Sequence, residues 1–178
     1  MTESQRLRER EREPRGAESI PLDYDKFRER VVNNLRQFKE GQVVIKGKDI
    51  PFVQSRQALQ KGYMHPFNWH MLAAPDWLVF IQRVITHSGQ HVHQGGLGIF
   101  VLEGKGYTVV DGVRYDWEEG DLIILPIKAG GCEHQHFNLD PDKPSEWMAI
   151  QYDRAKYVIE DETVQKVEHP DFKKKHVT

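Results

Sequence analysis

Cysteine is almost missing: Cys132 stands alone among 178 residues, so no internal disulfide can form and no thiolate cluster of the zinc-finger kind can be built. Any metal must rest on imidazole and oxygen. Long apolar runs are absent as well. No stretch approaches the roughly 18 residues of a membrane span, and the N-terminus lacks the apolar segment of a secretory signal. The expected address is the cytoplasm. An excess of either charge is also lacking, since 25 Lys+Arg stand against 27 Asp+Glu for a net charge of -2. No strong field invites nucleic acid or a membrane surface, and a small-molecule partner is expected instead. The 38% of hydrophobic residues suffices for one globular unit with tails.

The chain divides by pattern into four parts. Residues 1–20 alternate Arg and Glu with almost no apolar residue, which predicts a charged flexible arm. Across 21–42 the residues Tyr24, Phe27, Val31, Leu35 and Phe38 recur at helical spacing, with Asp23 or Asp25 as a cap and Gly41 as a stop. That predicts an amphipathic helix whose stripe packs on the body or on a second subunit. Residues 43–155 carry the punctuation of an all-β domain, with short β-branched or aromatic runs parted by Gly, Asp and Pro. Strands are expected at 43–45, 77–86, 99–102, 107–110, 113–117, 122–125, 133–138 and 147–152. Asp111-Gly112 is the strongest hairpin signal among them. Many short antiparallel strands imply a sandwich or barrel. Beyond 155 the pattern weakens, and 156–178 reads as a tail.

Nine histidines supply the chemistry to consider. His91 and His93 lie in one H-x-H, and His134 and His136 in another. In an extended strand alternate side chains share a face, so each pair can point inward together. Two such strands across a barrel would bring at least three imidazoles to one point, a donor set that suits iron, zinc, nickel or manganese. A single histidine is more often a hydrogen-bonded core or surface residue. The grouping in an all-β frame is what favours a metal.

The stretch HSGQHVHQGGLGIFVLEGKGYTVVDGVRYDWEEGDLIILPIKAGGCEHQHFN resembles the two motifs of the cupin superfamily in order, over roughly residues 76 to 152. Gly120, Pro126, His134 and Asn138 match the spacing of the second motif, and VLEGKGYTVVDG is similar to the connector of gentisate-type, ring-cleaving cupins. The resemblance implies a single double-stranded β-helix, or jelly-roll, barrel preceded by the helix. It carries His91, His93 and His134 over as metal ligands and leaves His136 beside the metal as the candidate catalytic group. It further implies iron(II) as the metal, with Mn, Ni or Zn as alternatives, and a homodimer. The activity implied is a mononuclear dioxygenase that takes O2 and a small aromatic or enolisable substrate through adjacent oxygens. A metal-dependent lyase or isomerase and a non-catalytic ligand-binding protein are the alternatives, since this fold hosts many functions.

One departure from the pattern is informative. The first motif usually supplies a glutamate four or five residues after its second histidine, where this chain has Leu97 and Gly98. Glu103 falls in a turn, and strand alternation directs Gln94 away from His93. Three histidines with open positions are therefore expected. Gly95, Gly96 and Gly98 leave room for a ligand, a second backbone or a bulge. Trp69, Trp77, Phe80, Phe100 and Trp147 are candidates for a pocket or for core. His65 and His70 are candidates for the pocket mouth or for ordinary loop residues, His87 for a substrate acid or base or a turn, and Cys132 for buried filler or chemistry.

Overall fold

The structure is a computed structural model that describes residues 24–64, 73–74, 76–152 and 163–173. The expected arm over 1–20 therefore lies outside the described residues, as do His65, Trp69 and His70. The chain forms two units, up to Arg36 and from Gln37 onward, and each is taken separately. Helix α1 runs Tyr24–Glu40 and ends where the Gly41 amide donates to the Gln37 carbonyl at 2.8 Å. Of its stripe, Tyr24, Val31, Leu35 and Phe38 are exposed. No helix among the described residues is long and apolar enough to cross a membrane.

The second unit is all-β. Its strands are β1 (Val53–Gln54), β2 (Leu59–Met64), β3 (Trp77–Val84), β4 (Gln90–His93), β5 (Leu97–Glu103), β6 (Lys105–Val110), β7 (Val113–Glu118), β8 (Leu122–Leu125), β9 (Cys132–Asn138), β10 (Ser145–Tyr152) and β11 (Val164–Val167). They form two antiparallel sheets in the orders β1-β2-β3-β10-β5-β8 and β11-β4-β9-β6-β7. Together they make the sandwich or barrel that the short strands predict, in the jelly-roll form that the resemblance implies.

Local chemistry sets the turns. Asp111 and Gly112 both adopt positive φ, 49° and 81°, the backbone that matches a two-residue hairpin to strand twist. At the next turn Asp121 accepts the Glu118 amide through Oδ2 at 2.9 Å. Alternation then decides what is buried. In β10, Ser145, Trp147, Ala149 and Gln151 face inward, and in β9 Cys132, His134 and His136 do. Ile99, Leu125, Val84, Trp147 and Cys132 build the core with Ala58, Leu97 and Ala149, each large apolar side chain contributing about 1.5–3 kcal/mol by burial.

Three sequence expectations differ from this frame. Residues 43–45 form no strand, because their apolar side chains Val43 and Val44 find no face to cover and stay exposed. The strands β1 and β2 were not anticipated; LQKGYM has little β character of its own and is held by its pairing with β3, including Leu59 opposite Arg83. The region expected to be tail contains β11, which pairs with β4 so that Gln165 lies opposite His91. Behind β11, Arg56 bonds Glu168 at 2.8 Å and the Arg56 carbonyl accepts the His169 amide at 2.8 Å.

Candidate metal centre

His91 and His93 project from β4 and His134 from the adjacent strand β9, where His91 and His134 are direct cross-strand partners. Register and alternation thus place three imidazoles on the inward face. Their ring centroids are 4.3 to 4.9 Å apart. One ligand atom from each lies within 4.8 Å of the others, close enough for all three to hold one ion.

The protonation pattern suits that role. His93 Nδ1 donates to the Gln94 carbonyl at 2.6 Å, and His134 Nδ1 donates to the Cys132 carbonyl at 3.0 Å. A proton fixed on Nδ1 leaves the lone pair on Nε2, the arrangement that orients a metal-binding imidazole. Burial, followed by the neighbouring His93, lowers the His134 pKa from 6.5 to about 4. The ring is therefore neutral at neutral pH, the form a metal ligand requires. The donor set fits a borderline divalent ion, and it contains no carboxylate or thiolate. Burial raises the Cys132 thiol pKa, which keeps that side chain protonated and part of the core.

His136 sits on the same face but is bonded differently. Its Nδ1 lies 2.8 Å from Thr108 Oγ1, which already accepts the Trp117 indole N–H at 2.9 Å. The Thr108 hydroxyl is fully buried and gives its hydrogen to His136 Nδ1, so the imidazole proton resides on Nε2. The ring packs 4.7 Å from Trp147, and burial holds its pKa well below 6.5, with His134 adding to the shift. Such a ring stays neutral and fixed.

A cavity of about 570 Å³ opens against His91 and His93. Of the five aromatic candidates only Phe80 lines it among the described residues; Trp147 is buried core and Phe100 faces outward, 44% exposed. Gln94 turns away, accepting the Lys128 amide and donating to the Lys128 carbonyl, each at 2.9 Å. His87 bonds the Ser88 carbonyl outside the triad. Of the glycines, Gly95 is required by a close approach: a Cβ there would stand 1.8 Å from the Pro126 carbonyl oxygen. The sequence reading missed Gln57, Gln60 and Gln151, which line the cavity. The alternation Ser145-Trp147-Ala149-Gln151 was the available signal for the last of these.

Neutral, buried imidazoles have a measurable consequence. The folded pKa of His134 lies below its unfolded value, so the unfolded chain binds the extra proton and acid favours unfolding. In metal-free protein, stability is full above about pH 6.5 and falls as pH drops toward about 4, by about 3 kcal/mol from this residue. Urea unfolding of chelator-treated protein at pH 7.0 and 5.0 checks this. An unchanged midpoint would mean that His134 is not held neutral.

A family model described as "Cupin domain" matches residues 81–151, a span that includes all three histidines. No curated protein matches the chain in sequence. Solved structures do. A Cupin 2 conserved barrel domain protein from Salinispora arenicola is 19% identical over 65% of this chain and 91% of its own, at a TM-score of 0.50. The plu4264 protein from Photorhabdus luminescens is 19% identical over 66% and 92%, at 0.53. A salicylate 1,2-dioxygenase variant from Pseudoaminobacter salicylatoxidans in complex with gentisate is 21% identical over 79% of this chain but 37% of its own, at 0.52. The family match over residues 81–151 and the jelly-roll sheets agree, and the barrel of this chain has the cupin fold.

Proposed function

We propose that this protein is a mononuclear metal-dependent dioxygenase acting on a small aromatic or enolisable substrate that chelates through adjacent oxygens. The observation that carries the reading is a three-imidazole cluster with no carboxylate in the group, two of whose members, His91 and His93, line a cavity. His91, His93 and His134 would hold the ion, leaving coordination positions for substrate and O2. Iron(II), favoured over Mn, Ni or Zn, supplies the one-electron chemistry with O2 that side chains lack. Neutral ligands leave the full 2+ charge to attract an anionic chelate. The salicylate 1,2-dioxygenase among the fold neighbours supports the class of reaction by analogy.

His136 we assign to positioning. Its Nδ1 is engaged by Thr108 and its pKa is depressed, so it holds the layer beside His134 and does not shuttle protons. Leu97 and Phe80 give the cavity that the substrate would enter part of its apolar wall.

The test is oxygen consumption by iron(II)-loaded protein on catechols, hydroxybenzoates and diketones. One substrate of this set is expected to be consumed with O2, and His134→Ala to abolish the uptake. Turnover of substrate without O2 uptake would move the assignment to a redox-neutral lyase or isomerase. Binding without turnover would make the protein a receptor.

A further inference from the structure

The cavity beside His91 and His93 contains two amides whose orientation is fixed. Gln151, 3% exposed, donates through Nε2 to the Gly95 carbonyl at 2.9 Å. Turned over, it would set its oxygen against that carbonyl, so the amide has one orientation. Its Oε1 is buried and has no hydrogen-bond partner among the described residues. Gln57 is fixed through a relay: Gln165 donates to the Val167 carbonyl at 2.6 Å, and Gln57 Nε2 donates to Gln165 Oε1 at 2.6 Å. Gln57 Oε1 is likewise buried and unpartnered. Both residues line the cavity, and no charged side chain does among the described residues.

A buried acceptor without a donor costs free energy that a ligand can recover. We infer that Gln151 Oε1 is a specificity element of the site, and that the ligand presents to it a hydroxyl or N–H donor in addition to the oxygens that chelate the metal. Gln57 Oε1 adds a second acceptor of the same kind. The ligand class is a chelate carrying a further hydroxyl or amide N–H, and a further carboxylate is disfavoured because it would meet two acceptor oxygens. This deepens the proposed function and rests on it, since the chelate is placed by the metal.

The probes are pyrogallol, 3-methoxycatechol and 2,3-dihydroxybenzoate, which share the catechol chelate and differ in the third group. They are titrated without oxygen into cobalt(II)-loaded protein, following the metal absorption band. Wild type is expected to bind pyrogallol about tenfold more tightly than 3-methoxycatechol, the worth of one buried hydrogen bond, and 2,3-dihydroxybenzoate most weakly. Gln151→Met, close in shape but without the acceptor, should erase most of the preference while leaving 3-methoxycatechol affinity nearly unchanged. Gln57→Met provides a second variant, and thermal unfolding with cobalt content establishes that each is folded and loaded. Equal binding of the three probes by wild type would overturn the role of Gln151 while leaving the chelating site intact, as would a preference that survives in both variants. Failure of every catechol to perturb the cobalt band would overturn the chelating reading itself, and this inference with it.

Discussion

Alanine at His91, His93 or His134 is expected to lower the affinity for the divalent ion by at least about 100-fold, whereas His136→Ala keeps it within about tenfold. The first three supply the converging ligand atoms, and losing a ligand costs more than the roughly 10–100-fold seen when only its support is lost. His136 behaves differently because its Nδ1 is an acceptor for Thr108 and its ring is wholly buried against Trp147. Its removal leaves a void and a Thr108 hydroxyl without an acceptor, so His136→Ala should lose about 2–4 kcal/mol of stability instead. Metal content after dialysis and urea unfolding, measured on the same four variants, separate the two effects. Retained metal in His134→Ala with loss in His136→Ala would reverse the ligand assignment.

The second large effect concerns the missing carboxylate, for which the sequence offers two positions. The sheet distinguishes them. Leu97 is 4% exposed and lines the cavity with His91 and His93. Gly98 pairs with Ile150, which faces outward, and a Cβ on Gly98 would meet only Leu122 and the Ile150 backbone at ordinary distances. Leu97→Glu is expected to hold the ion about tenfold more tightly than the neutral control Leu97→Gln. It should also weaken an anionic catecholate by about tenfold, because the added charge cancels part of the metal's. Gly98→Glu should match wild type in both. Competition titrations against a coloured chelator, with metal loading matched, check both arms. A Gly98→Glu protein that tightened metal binding would show that β5 does not present Leu97 to the site.

The clustering of the three imidazoles was legible because alternation puts both histidines of an H-x-H on one face of a strand, and the resemblance to the second cupin motif, through Gly120, Pro126 and Asn138, implied which residue of the second pair joins them. Asn138 itself closes β9 and ties down the chain that leaves it, its side-chain amide nitrogen bonding the carbonyls of Ile85, Asp140 and Lys143. The Asp111-Gly112 hairpin was legible for an equally local reason. What could not be read depends on partners distant in sequence. Residues 164–167, Val-Gln-Lys-Val, are too short to show a period, and pairing with β4 makes them a strand. Inward glutamines such as Gln82 and Gln151, both nearly inaccessible, look like solvent-facing positions until the sheets close around them. The exposed stripe of α1 shows the converse, since periodicity predicts a helix without naming what covers its face.

The placement of β11 beside β4 bears on the order of events during synthesis. The strand that carries His91 and His93 has one neighbour in β9 and the other in a segment made near the end of the barrel region. Long-range antiparallel pairing is slow because chain closure comes before its reward. A nascent chain that has emerged through β10 already holds all three imidazoles but lacks the strand flanking His91 and the Gln165 amide that fixes Gln57. Thr163 and β11, which complete this side of the sheet and the cavity wall, are therefore the last of these parts to be synthesised. The barrel thus depends on a strand that arrives after every histidine of the cluster has been made.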